Sequence, residues 1–180
     1  MELVWLLDRA TALVAYPLLY AAVVTGIFYN TRSFGPLFRL AQRVHVPVSV
    51  LALVVTAGHV ALGVADTWLV VQGVVPQPNY STPYLLAGVV VGAGSTLLVA
   101  VAVLGFLDAR RFPRPWGPRV VHAFAYGGYA FATVHAVAIG TDVVGLSRSL
   151  VLLGVTFVAY LLVVRYVGEW LVDDAAPAAQ

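Results

Sequence analysis

The chain has 180 residues, 61% of them hydrophobic and only 10% charged, with a formal net charge of +2 and no cysteine. Soluble domains carry roughly a quarter charged residues, so a water-soluble single-core fold is excluded, and a charge this small requires no nucleic acid. Without thiols there is no iron–sulfur ligation, no haem attachment through C-x-x-C-H and no disulfide.

Apolar runs long enough to cross a hydrocarbon core of ~30 Å as helices occupy 3–29, 44–72, 84–107, 119–140 and 149–171. The stretches "NTRSFGP", "PQPNYSTP", "RRFPRPWGP" and "GTDVVGLSR" punctuate them. Runs of this length without strict alternation predict helices and not a membrane barrel. The fold expected is an all-α integral membrane protein, a five-transmembrane-helix bundle. Its first segment opens "MELVWLLDR", with an acid where a secretory signal is basic, and is expected to persist as a helix. Residues 172–180 are expected to form a short, flexible cytoplasmic tail.

Charge is segregated between the connections. Arg32, Arg39 and Arg43 accompany the first, and Arg110, Arg111, Arg114 and Arg119 the third. The second has no charge between Trp68 and Tyr84, and the fourth holds only Asp142 and Arg148. Short basic loops stay cytoplasmic, which predicts an outside N-terminus and a cytoplasmic C-terminus.

All four histidines fall inside two of the five segments: His45 and His59 on the second, His122 and His135 on the fourth. Ionisable groups within a bilayer are costly and point to function. One span separates the two helices, so they run parallel. His45 then shares its depth with His122 near the cytoplasmic side, and His59 shares its depth with His135 nearer the outside. Along the helices the levels are separated by about 21 and 19.5 Å. A facing pair of neutral imidazoles is a natural axial clamp for haem iron. Zinc or copper would want three or four ligands at one depth, and each depth here supplies two.

Fourteen residues bring His59 within about 40° of His45's face, whereas thirteen leave His135 about 140° from His122. A distortion of the fourth helix near Gly127–Gly128, or haems attached at different angles, is therefore expected. Ala52, midway between His45 and His59, and Gly127–Gly128 are small residues that would let a flat cofactor approach. Arg43 and Arg119, two and three residues before the inner histidines, are candidates for holding haem propionates. Asp66 and Asp142 each follow a histidine by seven residues and stand near its face at the outer surface. Gly88 and Gly92 form a GxxxG packing signal on the third helix.

His-x13-His on one helix and His-x12-His two helices later lie within "RVHVPVSVLALVVTAGHVALG" and "WGPRVVHAFAYGGYAFATVHAVAIG". This pattern resembles the ferric reductase-like transmembrane domain, shared by NADPH oxidases, ferric reductases and the haem subunit of periplasmic methionine sulfoxide reductase systems. The resemblance implies such a haem domain over residues 1–171. It also implies two b-type haems, the inner on His45/His122 and the outer on His59/His135, in a multi-pass protein of a prokaryotic cell membrane. Many members have six helices and continue into a flavin and nicotinamide domain. Here five segments are legible and no dinucleotide fingerprint follows. The expectation is thus an electron-transfer subunit served by a separate redox partner: a flavoprotein, a ferredoxin-like protein, quinol or a molybdoenzyme. A different class, a proton or cation transporter using the histidines with Asp66 and Asp142 and no haem, stays open, as does a structural subunit with empty pockets.

Overall fold

The computed structural model describes residues 2–31, 34–74, 82–109, 117–138, 140 and 142–175. Among them run five α-helices: α1 Glu2–Asn30, α2 Pro36–Val71, α3 Thr82–Ala109, α4 Gly117–Ala138 and α5 Leu146–Ala175. Four of these, α1, α2, α3 and α5, are long and apolar enough to cross a membrane. α4 falls outside that group: His122, Tyr126, Gly127, Gly128, Tyr129 and His135 dilute its apolar character. The arginines of the third connection before Gly117, and the last five residues of the tail, lie outside the described residues.

α2 begins eight residues before its expected start. Gly35, at φ 53°, makes the turn, and Pro36 sits in the first helical position, where its missing N–H leaves nothing unsatisfied. Arg39 and Arg43 therefore ride on the helix and do not belong to a loop. At 36 residues α2 is about 54 Å long, far more than a hydrocarbon core requires.

The helices associate as two antiparallel hairpins, α1 with α2 and α3 with α4, and α5 closes against α1 and α4. A small apolar core of Val23, Ile27, Tyr129, Val158 and Leu161 fills the junction of α1, α4 and α5. Large apolar side chains such as Leu6, Val54, Val90, Leu104, Leu153 and Val163 point outward. That inversion is stable only where the surroundings are themselves apolar. The molecule is accordingly a multi-pass membrane protein.

Within the second hairpin the close approach is made by small residues. Ser95 Oγ donates to the Gly128 carbonyl at 2.8 Å. A Cβ added at Gly128 would lie 2.6 Å from Val99 Cγ2 and 3.2 Å from the Ser95 carbonyl oxygen. Gly127 also faces α3, where a Cβ would meet Leu98 Cδ1 at 3.4 Å. These glycines serve helix packing, so the expectation that they face a flat cofactor is corrected. The expected distortion is not seen as a change of helix type either: α4 is α-helical from Gly117 to Ala138.

Gly128→Ala is expected to push α4 away from α3 at a cost of about 1–3 kcal/mol. SDS-induced unfolding in mixed micelles measures this. A midpoint equal to that of the unsubstituted protein would contradict the packing described.

Candidate functional site: two histidine pairs

His45 and His122 face each other with ring centroids 6.2 Å apart and ring planes at 87°. His59 and His135 do so at 6.3 Å and 65°. The structure thus assembles the two cross-helix pairs, each at its own level of the bundle. Between the levels, Ala52 is buried on α2. Among the described residues no Cα of α2 comes within 8 Å of a Cα of α4, so the two helices meet through side chains across a gap.

Each gap is set by what stands behind the rings. On α1, Thr25 donates its hydroxyl proton to the Ala21 carbonyl at 2.7 Å, so its oxygen accepts from His45 Nδ1–H at 3.2 Å. Ser49 Oγ lies 3.5 Å from the same nitrogen. The ring rests on Gly26, where a Cβ would come 3.0 Å from His45 Cε1. On the second pair, His59 Nδ1–H donates to the Asp8 carbonyl at 3.2 Å, and the same nitrogen is 2.8 Å from the Asp8 carboxylate. His135 Nδ1–H donates to the Gly88 carbonyl at 3.1 Å, with its ring lying on Gly92. Three of the four imidazoles therefore carry their proton on Nδ1, which leaves the Nε2 lone pair available as a ligand.

His135 leans on α3, which is how a spacing of thirteen residues is accommodated without interrupting α4: the ring reaches the second pair from the α3 side. Gly88 and Gly92, expected to pack helices, also make the seat for this ring.

The remaining candidates sit less centrally. Arg43 is exposed, and its place two residues from His45 turns it about 200° around the helix. The side chain of Arg119 lies outside the described residues. Asp142 is held by Arg9, whose Nε donates to Oδ2 at 2.7 Å, with a second contact from Nη2 to Oδ1. The guanidinium of Arg9 also lies 4.4 Å from the Trp5 ring centroid. This forked pair fastens the start of α1 to the turn after α4, and so closes the bundle beside the second histidine pair. Asp66 keeps a buried carboxylate oxygen with no hydrogen-bond partner among the described residues. Sequence reasoning missed Asp8, Thr25, Gly26 and Ser49. The first three lie on α1, whose rotation against α2 no local pattern encodes.

Tyr16 ties the two hairpins together between the levels. Its hydroxyl lies 3.1 Å from that of Tyr129 and 3.0 Å from Thr133 Oγ1, and the two tyrosine rings stack at 5.7 Å.

Among the described residues no group of three or more His, Asp or Glu side chains is placed to hold a metal ion. A metal that brings most of its own ligands is a different matter. Metal–imidazole bonds of about 2 Å on each side separate ring centroids by about 6 Å, the spacing both pairs have. A direct bond of about 3 Å between ring nitrogens would draw them closer together.

Fold and site define an all-helical, multi-pass membrane protein with two facing histidine pairs between helical hairpins. The chain belongs to the family described as a domain of unknown function, DUF8596, whose model matches residues 3–142. That span contains all four histidines, Asp8 and both members of the Arg9–Asp142 pair. No curated protein and no solved structure matches the chain.

Because the chain has no cysteine, the pairing can be read directly by cross-linking. His45→Cys combined with His122→Cys is expected to be bridged by a short bifunctional thiol reagent, and His59→Cys with His135→Cys likewise. His45→Cys with His135→Cys is expected to stay unbridged on denaturing gels. Bridging of that mixed pair would contradict the two-level arrangement.

Proposed function

We propose that this protein is a di-haem b-type membrane cytochrome subunit. In this reading it moves electrons across the membrane between a cytoplasmic or quinol donor and an outer acceptor. α4 counts as the fifth span, and the inner and outer levels are the His45/His122 and His59/His135 pairs. One observation carries the proposal: two imidazole pairs, each with centroids about 6 Å apart, whose backing contacts hold Nδ1 protonated on three of the four rings. Haem supplies one-electron exchange at iron and brings four ring nitrogens of its own.

The chain's residues do the rest. His45, His122, His59 and His135 would hold the two haems, which would then supply one-electron exchange and no open position for substrate. Thr25, Asp8 and Gly88 fix the tautomer and aim of three rings. Tyr16, Tyr129 and Thr133 hold the hairpins at a constant separation, and the apolar surroundings exclude water. Arg119, three residues before His122 in the sequence, is the candidate partner for carboxylates of a bound cofactor, whereas exposed Arg43 lies on the far side of α2 from His45. The likeness of the histidine spacing to the ferric reductase-like domain supports the same reading, with a flavoprotein, ferredoxin-like protein, quinol or molybdoenzyme as the separate redox partner.

A second reading, a haem-free proton or cation carrier, draws support from the gathering of Asp8, His59 and Asp66 at one end of α2.

Proteoliposomes separate the two. With ferricyanide trapped inside and dithionite outside, the haem-loaded protein is expected to bleach the ferricyanide well above the rate of empty vesicles, and His59→Ala is expected to abolish that excess. Collapse of an imposed pH gradient without bleaching would overturn the cytochrome reading in favour of the carrier.

A further inference from the structure

We infer that Asp8 makes the two haem sites electrically unequal, its carboxylate rendering the His59/His135 site the more electron-donating and the lower in midpoint potential. The inference rests on the di-haem reading and concerns a positioning residue, since Asp8 acts from behind His59.

The asymmetry is visible in what meets each Nδ1. His45 meets the hydroxyl oxygens of Thr25 and Ser49 at 3.2 and 3.5 Å. His135 meets the neutral carbonyl of Gly88 at 3.1 Å. His59 alone among these three meets an anion, the Asp8 carboxylate at 2.8 Å, in addition to the Asp8 carbonyl at 3.2 Å. Asp8 Oδ1 makes no hydrogen bond among the described residues, so the carboxylate acts on the site as a close charge and not by taking the ring proton. A negative charge in an apolar medium favours the more positive oxidation state of the metal it faces. That charge would stabilise Fe(III) over Fe(II) at this site far more than at the other.

The carboxylate is seated there by design of the neighbouring helix. Gly63 stands one turn beyond His59 on α2, and a Cβ at that position would lie 3.3 Å from Asp8 Oδ1. A larger residue would crowd the acid away from the ring. The adjacent cation does not cancel the charge, because Arg9 is engaged in a forked pair with Asp142. Asp66, two turns beyond His59, adds a second acid on the same side.

The test is a spectroelectrochemical titration of the intact chain in lipid nanodiscs, with His59→Ala providing the spectrum of the first site alone. The unsubstituted protein is expected to show two midpoints, the lower belonging to the component missing from His59→Ala. Asp8→Asn keeps the carbonyl bond and the side-chain shape but removes the charge. It is expected to move the one-electron equilibrium of that site about tenfold toward Fe(II), ~59 mV upward, with the other midpoint moved far less, whereas Asp8→Glu restores the low value. Equal shifts at both sites, no shift at either, or a higher midpoint at His59/His135 in the unsubstituted protein would each overturn the inference while leaving the di-haem reading intact. If Asp8→Asn fails to load that site, the order of the two native midpoints and the Asp8→Glu value still decide. A folded protein with no haem at all would refute the underlying reading instead.

Discussion

Helices α2 and α4 face each other through four imidazoles without their backbones coming within 8 Å among the described residues, and the rest of the structure serves to keep that gap. A bundle in lipid gains little from apolar burial between helices, so a gap would close unless something held it open. Here the holding is done at the ends of a lever. α1 carries Thr25, Gly26 and Asp8 against the rings of α2, and α3 carries Gly88 and Gly92 against the ring of His135. Each histidine helix is thus bound to its hairpin partner more closely than to its opposite number. The two hairpins are then tied by Tyr16 with Tyr129 and Thr133, and by the forked Arg9–Asp142 pair.

This division of labour explains why polar residues occur where they do in so apolar a chain. Thr25, Ser49, Thr133 and Asp8 each satisfy a partner on the histidine helices or on the opposite hairpin. The many large apolar side chains, by contrast, point outward. The cluster of large buried apolar side chains lies at the junction of α1, α4 and α5, away from the facing rings of α2 and α4.

Much of this was legible in the sequence, for physical reasons specific to each feature. Run length and hydropathy reveal helices in a membrane protein because every backbone group must be satisfied internally. The pairing of His45 with His122 and of His59 with His135 follows from near-equal spacing on two parallel helices. Helix length was less legible: hydropathy marks the stretch suited to lipid, so Arg39 and Arg43 read as loop although Gly35–Pro36 signals the true start of α2. Rotation of one helix about another has no local signature. Asp8 lies 51 residues from His59, and nothing in either neighbourhood announces the contact. Gly127 and Gly128 illustrate the opposite hazard. Small residues on a membrane helix suit either a cofactor or a neighbouring helix, and here Val99 and Ser95 of α3 occupy that face.

The most direct test is a haem count on the purified, monodisperse protein from haem-replete cells, by pyridine haemochrome together with oxidised and reduced visible spectra. Two low-spin b-type haems per chain is the predicted result. A folded chain that carries none would contradict the proposal that these four imidazoles hold two haems.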